Sequence, residues 1–401
     1  MVSVKETRDH GMNKLTESSP KLSAVISTHT FTGGPAYELE NYLRSRTREL
    51  LFISHPFYYS NARQSLVRLY SDGKLEKNYR IPTLSSFGPA SYFRDLVVSI
   101  LTVLLSRKRY SLFIGLDALN SLAGLLLQKA GLIDNTVFYR IDYVPSRFRN
   151  RVANRIYQSL NLLCAKSCDW TWNLSKRMIE EQCKTPDLMP KQLVVPIGSN
   201  YDQIKRKASD PTGTRRLAYL GSLRKGQGLE LLIDEMPSIR KAVPDAQLVI
   251  IGKGPLDTKL KQRAAELELA DSTTFLGYIQ DHAQVEEILT TCGIGLAMYE
   301  PFDDSFIQFT EPGKIKVYMA CGLPVITTRV PEIAGEIEER GAGFVIDYSA
   351  EQLVSTITNL TSDESLYSSA RQSAIKFASE YSWTNIFDKT FSTMHAARAE
   401  S

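Results

Sequence analysis

The chain contains few cysteines, and they do not form a redox or metal-binding pattern. Among 401 residues there are five, an odd number with no CxxC pair: Cys164, Cys168, Cys183, Cys292 and Cys321. This pattern argues against a disulfide framework and favours a reducing compartment. Cys164 and Cys168 lie four residues apart on a predicted helix, where they could share a metal ion. Because no histidine lies nearby in the sequence, we expect them to pack in the interior instead.

The chain also lacks a long hydrophobic run. Its first 20 residues are polar and contain no apolar core of a secretory signal, so we expect a flexible tail over residues 1–20. The most apolar stretch, residues 96–105, is ten residues long, which is too short to span a bilayer. We therefore expect no membrane-spanning segment and a cytoplasmic location, with peripheral attachment to the inner face of the membrane left open.

Several common enzyme signatures are missing. Residues 252–257 read GKGPLD, so aspartate stands at the third glycine position of GxGxxG, and the loop after the first predicted strand lacks that fingerprint as well. This disfavours a nicotinamide-dependent dehydrogenase. The chain contains no P-loop GxxxxGK motif ending in Ser or Thr, no HExxH and no GxSxG. P-loop kinases and the commonest proteases and esterases are therefore unsupported.

Charge is distributed unevenly along the chain. Residues 1–200 carry 27 Lys and Arg against 16 Asp and Glu, a net charge of +11, whereas the remainder has a net charge of −7. The basic half suits an anionic partner such as a membrane surface, a phosphorylated lipid or nucleic acid, or it is simply a solvated face. A basic amphipathic helix predicted over residues 147–164, with the apolar helix at 96–105, could rest on anionic lipid. Packing within the domain is the alternative.

Strands alternate with helices along the whole chain, which predicts an α/β fold with parallel sheets. The length predicts two domains. We assign residues 21–200 to an N-terminal domain and residues 215–383 to a C-terminal domain, joined by a polar linker over 201–214. Residues 57–90 show little periodicity and are expected to be loop and short elements. A cleft between two such domains is the default ligand site.

Residues 310–328, TEPGKIKVYMACGLPVITT, predict a short helix followed by a buried strand. Thr310 or Glu311 can cap the helix, Pro312 suits its first turn, and Gly322 is placed to end it in a left-handed conformation. Lys314 lies in the first turn. Because a helix start presents unpaired amides, a cation beside it makes a site for phosphate. The alternative is an ordinary helix and strand of the core.

Two features of the N-terminal half are placed at strand ends. Gly33 and Gly34 follow the first predicted strand, where glycines let the backbone approach a ligand closely. Asp142 follows the strand predicted over residues 136–141, at the edge where open α/β sheets bind ligands. A plain turn and a helix cap are the corresponding alternatives.

The order of motifs resembles that of GT-B glycosyltransferases. LAYLGSLRKGQGLELLI, QLVIIGKGP, TFLGYI and PGKIKVYMACGLPVITT follow one another as in the retaining fourth family, whose members are glycogen-synthase-like and mannosyltransferase-like. The resemblance covers the C-terminal domain in full and is weaker before it, where it rests on Gly33, Gly34, Asp142 and residues 172–175. Residues 381–383 and the helix over 384–398 resemble the family's C-terminal helix, which crosses back to the first domain.

The resemblance implies a GT-B architecture of two Rossmann-like domains with a UDP- or GDP-linked sugar donor between them. Tyr278 and Ile279 would line the base pocket. Gly252 and Gly254 would permit close approach of the backbone to the donor. Arg224 and Lys225 lie in the first loop of the C-terminal domain and would face the donor as well.

The same resemblance assigns the reacting groups. Glu311, Pro312, Gly313 and Lys314 would face the diphosphate and the sugar, with Glu311 and Lys314 in catalytic roles. Gly33 and Gly34 would close over the phosphates, and Asp142 would reach the sugar or the acceptor as a third catalytic group. Fixed amides and cations can stabilise the charge on the leaving diphosphate, so neither a metal ion nor a cofactor is expected.

The chain departs from the family at four positions. The family's basic pair aligns with Ser222 and Gln227, and its two glutamates align with Phe309 and Val317. A valine cannot bond a ribose hydroxyl. The sequence thus predicts a glycosyltransferase acting on a glycan or lipid-linked acceptor, with retention and without nucleic acid as a partner. A catalytically silent glycan- or membrane-binding relative, and a nucleotide-sugar epimerase or hydrolase, are the alternatives.

Overall fold

The computed structural model describes residues 22–29, 34–57, 64–82, 90–141, 143, 147–148, 150–182, 191–207, 213–301 and 311–399. These residues form two parallel-sheet units, one in each half of the chain. Gly33, Asp142, Phe309 and Thr310, which the sequence singles out, lie outside the described residues.

The N-terminal sheet has eight strands in the order β4-β3-β2-β1-β5-β6-β7-β8. The strands are β1 (Ser23–His29), β2 (Glu49–His55), β3 (Gln64–Ser71), β4 (Lys74–Pro82), β5 (Tyr110–Leu116), β6 (Ile133–Arg140), β7 (Trp170–Asn173) and β8 (Gln192–Val194). Along the part of the sheet ordered β2-β1-β5-β6-β7-β8, all neighbouring strands pair in parallel. The side chains of β1 and β2 are almost entirely buried, as expected for strands covered on both faces.

Strands β3 and β4 form an antiparallel hairpin at the sheet edge, so the expectation of loop and short elements over residues 57–90 was wrong for residues 64–82, which form two full-length strands. The turn is Asp72-Gly73, and both residues have positive φ, 46° and 81°. Such a pair is a strong hairpin signal. Almost every side chain of β4 is exposed, so the apolar alternation that marks a half-buried strand is missing.

Within the described ranges, five helices accompany this sheet: α1 (Pro35–Arg44), α2 (Ala90–Ser106), α3 (Ala118–Lys129), α4 (Arg151–Ser167) and α5 (Lys176–Gln182). Helix α3 packs beside both α2 and α4, and the three form a layer on one face of the sheet. Helix α2 contains the predicted apolar helix. Helix α4 begins at Arg151 with Asn150 as its N-cap residue, so the predicted start of the basic helix at residue 147 was four residues too early. Among the described residues, none of the helices has the length and apolar character needed to cross a bilayer.

The C-terminal sheet is wholly parallel, in the order β11-β10-β9-β12-β13-β14. Its strands are β9 (Arg216–Leu220), β10 (Gln247–Ile251), β11 (Thr273–Gly277), β12 (Ile294–Ala297), β13 (Val325–Thr328) and β14 (Gly343–Ile346). Its helices are α6 (Leu229–Ala242), α7 (Asp257–Glu266), α8 (His282–Leu289), α9 (Gly313–Cys321), α10 (Ala334–Glu339), α11 (Ala350–Ser362) and α12 (Glu364–Ser379). The strand order reverses between β9 and β12, which is where open sheets of this kind bind ligands.

The last helix, α13 (Trp383–Ala399), returns to the N-terminal unit and packs against α1. The Tyr42 hydroxyl donates a hydrogen bond to Asp388 over 2.5 Å, and Phe387 is buried in the N-terminal core. The carboxyl ends of strands from both sheets meet in the same region. Arg177, after β7, donates to the carbonyl of Val330, after β13, over 3.0 Å.

Candidate active site

Helix α9 and strand β13 form as the sequence predicts, but the helix start differs. The helix begins at Gly313 with Pro312 as its N-cap residue, and no side chain caps it. The proposed cap Glu311 was therefore wrong; Pro312 cannot supply a capping oxygen. Gly322 ends the helix in the left-handed region with φ 88°, which confirms the predicted C-terminus.

Lys314 extends from the first turn of α9 to the loop after β9. Its ammonium donates to the side-chain oxygen of Gln227 over 2.9 Å and lies 3.3 Å from the Tyr219 hydroxyl. It also lies 4.3 Å from the centroid of the Tyr219 ring, in cation–π contact. The head group fits against Gly221, where an added Cβ would come within 2.9 Å of it. All these partners are electrically neutral.

Within the part of the chain that the structure describes, no carboxylate lies in ion-pair distance of Lys314. Burial lowers the pKa of Lys314, and the nearby positive charge of Arg224 lowers it further, to about 7. A bound anion would reverse this effect, since an opposite charge within a few ångströms favours the charged form of lysine. The site is thus a partly buried cation without an anionic partner among the described residues.

The loop after β9, residues 221–228, contains the departures from the family pattern. Gln227 is buried and aligns with one residue of the family's basic pair; its side chain accepts the hydrogen bond of Lys314. Arg224 and Lys225 are exposed on this loop. At Gln227 itself the nearest positive charge is the ammonium of Lys314, which comes from helix α9.

Gly252 and Gly254 hold the loop after β10 against the loop after β9. A Cβ on Gly252, whose φ is 143°, would lie 1.9 Å from the carbonyl oxygen of Gly221. A Cβ on Gly254 would lie 2.4 Å from the carbonyl oxygen of Leu223. The close approach that these glycines permit is between two backbone segments, which in turn place the loop beside Lys314. Direct contact of either glycine with a donor stays a prediction.

Tyr278 and Ile279 follow edge strand β11. Tyr278 is exposed, with 51% of its surface accessible, and Ile279 packs partly buried against the C-terminal core. An exposed aromatic ring beside a half-buried aliphatic side chain offers a stacking surface for a base. Their role in a base pocket stays a prediction.

Glu311 bridges the two halves of the chain. One carboxylate oxygen forms an ion pair with the fully buried ammonium of Lys316, and the other accepts a hydrogen bond from the backbone amide of Ile197 over 3.0 Å. Lys316 lies 4.1 Å from the centroid of the Tyr381 ring. The predicted contact of Glu311 with the sugar would require these bonds to be given up. Sequence reasoning missed Lys316, which lies on the other side of α9 from Lys314.

Two further positions bear on the donor prediction. Val317 packs partly buried against the C-terminal core, so at the position of the family's second glutamate the chain has an apolar contact. Gly34 precedes α1 with φ 140°, and an added Cβ there would meet no atom within 4 Å. Gly34 is therefore open to solvent space on the side of the strand ends, where a ligand could approach it.

A second polar cluster lies at the carboxyl ends of β1, β2 and β5, and sequence reasoning missed it. The imidazole of His29 lies between two carboxylates, 2.9 Å from Asp117 and 3.3 Å from Asp95. Arg94 donates to the other oxygen of Asp95 over 2.6 Å. His55 contacts two serine hydroxyls, at 2.8 and 2.9 Å, and lies 3.7 Å from the Asp95 carboxylate.

The two histidines of this cluster differ in charge. Burial lowers the pKa of His29, but the carboxylates of Asp117 and Asp95 outweigh it and raise the pKa to about 9. Burial and the neighbouring His29 lower the pKa of His55 to about 3. At neutral pH His29 is therefore an imidazolium that donates to both carboxylates, and His55 is neutral. Within the described residues no group of His, Cys, Asp and Glu side chains could hold a metal ion.

Comparison with known proteins identifies the C-terminal half. Residues 200–377 match the family model described as Glycosyl transferases group 1. A chitobiosyldiphosphodolichol beta-mannosyltransferase of Debaryomyces hansenii is 25% identical over 162 residues, 38% of this chain and 33% of that protein. A GDP-mannose-dependent alpha-(1-6)-phosphatidylinositol dimannoside mannosyltransferase of Mycobacterium tuberculosis is 25% identical over 182 residues, 45% of this chain and 44% of that protein. The chain thus spans less than half the length of these relatives.

The similarity to solved structures extends over both halves of the chain. A structure of HepE from Anabaena in complex with UDP is 14% identical, covers 94% of this chain and 100% of its own, and has a TM-score of 0.66. The GT-B fold and the resemblance to GT-B glycosyltransferases are therefore confirmed, including the C-terminal helix that crosses back to the first domain.

Proposed function

We propose that the chain transfers a sugar from a UDP- or GDP-linked donor to a hydroxyl group of a glycan or lipid-linked acceptor, with retention of configuration at the anomeric carbon. The observation that carries this proposal is Lys314: a partly buried cation with neutral partners, at the first turn of a helix and beside the switch point of the C-terminal sheet. Each of these features favours an anion, and a diphosphate is the anion that leaves in such a reaction.

The role of Lys314 is to hold the leaving diphosphate. As the bond between the anomeric carbon and phosphate breaks, negative charge grows on the phosphate oxygen, and a fixed ammonium stabilises it without reorganising. The unpaired amides at the start of α9 act in the same direction. The residues present suffice for this task without a metal ion, which is why we propose a metal-independent reaction.

The names of similar proteins further support the proposal of a nucleotide-sugar donor. HepE was solved with UDP, and the mycobacterial relative is named as GDP-mannose-dependent. Tyr278 and Ile279 are proposed to receive the base. One relative is named as an alpha- and one as a beta-mannosyltransferase, so proton NMR of the first product formed is the direct check on retention.

A ligand screen tests this function. We expect UDP, GDP, UDP-glucose or GDP-mannose to raise the melting temperature of the chain, and at about 100 times its dissociation constant a ligand stabilises by roughly 2.7 kcal/mol. Lys314→Gln should abolish most of the shift, whereas Lys261→Gln, at an exposed lysine of α7, should leave it unchanged. The absence of any shift with all four ligands would contradict the proposal.

Turnover of the ligand that binds separates the remaining functions. Transfer to an added acceptor supports the transferase, whereas hydrolysis without transfer to any added acceptor would identify a hydrolase. Formation of an epimerised nucleotide sugar would identify an epimerase, and binding without turnover would identify a silent relative.

The acceptor is proposed to lie at an anionic membrane surface. The layer formed by α2, α3 and α4 exposes large apolar side chains: Phe93, Leu101, Leu104, Leu105, Leu126, Val152, Ile156 and Leu163. On α4 they stand beside the exposed basic residues Arg151, Arg155 and Lys166. Apolar side chains mixed with basic ones on one helical surface are typical of binding to an anionic bilayer.

A further inference from the structure

Asp117 lies on the edge of the N-terminal sheet that faces the C-terminal unit. It follows β5 directly, and the carboxyl ends of β7 and β8, on the same edge, contact the C-terminal unit through Arg177 and Ile197. Its side chain is 39% exposed, whereas that of its partner His29 is 3% exposed. Of the cluster around His29, Asp117 therefore presents its carboxylate to the space between the two sheets.

The backbone at Asp117 is strained. Its φ is 100°, in a region that residues other than glycine rarely adopt. A strained residue persists when its surroundings hold it, and such residues concentrate at functional sites. The amide and the side chain of Asn120 donate to its two oxygens over 2.9 and 2.7 Å. Capping helix α3 explains the first of these bonds, but a cap needs no positive φ.

His29 fixes the orientation of this carboxylate. Its imidazolium donates to Asp117 from one side and to Asp95 from the other, and Asp95 is itself held by Arg94. The positive charges of His29 and Arg94 match the negative charges of Asp95 and Asp117 in number. The oxygen that accepts from the Asn120 amide keeps a lone pair for a hydroxyl donor.

We propose that Asp117 binds the acceptor: its carboxylate accepts a hydrogen bond from the sugar hydroxyl that is glycosylated, and His29 is the positioning residue that holds it. The inference rests on the proposed function and adds a contact on the side of the cleft opposite Lys314. The ligand class is a polyol with a free hydroxyl, and water can enter the same place during slow hydrolysis of the donor.

The test compares Asp117→Asn with Asp134→Asn in the full chain. Asp134 has a matched exposure of 40% and pairs with Arg109, but it lies at the start of β6, on the opposite edge of the sheet. Asparagine preserves the shape of the side chain at both positions and the capping ability at Asp117. Donor affinity is measured by calorimetry, hydrolysis with GDP-mannose or UDP-glucose alone, and transfer with n-octyl α-mannopyranoside as the acceptor probe.

We expect the Kd of Asp117→Asn for the donor to lie within about twofold of the wild-type value. The acceptor KM should rise at least tenfold, and hydrolysis of the donor should slow at least tenfold. His29→Gln should raise the acceptor KM in the same direction with kcat less affected, and it serves as the second variant if Asp117→Asn does not fold. Asp134→Asn should behave as wild type.

Two results are distinguishable. Normal donor binding with unchanged transfer and hydrolysis in Asp117→Asn would overturn the acceptor contact and leave the proposed function standing. Failure of the wild-type chain to bind any nucleotide would overturn the proposed function, and the inference with it.

Discussion

At the scale of single residues, the site is built around the charge of Lys314. In the loop after β9, Gln227 aligns with one residue of the family's basic pair, and its side chain accepts a hydrogen bond from a lysine 87 positions away. A lysine on helix α9 thus places its charge beside the loop after β9. Sequence reasoning found Lys314 because a helix start is a local pattern, but it could not find the contact with Gln227, which only the fold brings together.

The same limit explains why the His29 cluster was missed. Its members come from β1, α2 and the start of α3, and the hydrogen bonds of His29 join residues 66 and 88 positions apart. None of them forms a motif with its neighbours in sequence. The one local signal was Asp117 directly after a buried strand, and it is equally typical of a helix cap.

Under the proposed function, the lowered pKa of Lys314 predicts that binding of a nucleotide sugar depends on pH. Because the pKa is lowered to about 7 in the unliganded chain, binding of the diphosphate above pH 7 must take up a proton, and affinity falls as pH rises. From pH 7 to 9 we expect the Kd to increase by up to about 100-fold, since each pH unit is worth at most tenfold for one proton. Calorimetry in buffers of different ionisation enthalpy measures the uptake.

The matched variant for this prediction is Lys314→Arg. Arginine stays protonated throughout this range, so its pH dependence should be flat. Wild-type affinity that does not change between pH 7 and 9 would show that Lys314 does not meet the diphosphate.

At the scale of elements, prediction succeeded where signals are local. Helix α9 and strand β13 follow from Pro312, Gly322 and a run of β-branched residues. It failed for β3 and β4, because a solvent-exposed edge hairpin lacks the apolar alternation that reveals other strands. The assignment of α2 and α4 as helices was right, but sequence alone could not say which of their apolar side chains stay exposed.

The exposed layer of α2, α3 and α4 predicts binding to anionic vesicles. The double variant Leu105→Glu with Ile156→Glu should reduce co-sedimentation with phosphatidylglycerol-containing vesicles at least tenfold, because it removes inserted apolar area and adds repulsion. Leu75→Glu with Leu276→Glu, at exposed leucines on β4 and β11, is the control and should bind as wild type. Equal vesicle binding by both double variants would show that the layer of α2, α3 and α4 does not contact the membrane.

At the scale of the whole molecule, two sheets with their carboxyl ends together form a cleft with different chemistry on each side. The C-terminal side offers a partly buried cation, and the N-terminal side an oriented carboxylate. Sugar transfer requires this division, since a leaving diphosphate needs positive charge and an acceptor hydroxyl needs a hydrogen-bond acceptor. Glu311 joins the two units at the start of α9, the helix that carries Lys314.

The most direct test of this account moves the charge of Lys314 to position 227, in the loop after β9. Calorimetric titration of the stabilising nucleotide sugar is compared in wild type, Lys314→Gln and the swap Gln227→Lys with Lys314→Gln. The single variant should lose at least about 30-fold in affinity, roughly 2 kcal/mol. The swap should recover at least half of that free energy, because its ammonium stands at the other end of the same 2.9 Å hydrogen bond. Wild-type affinity in Lys314→Gln would contradict the central claim.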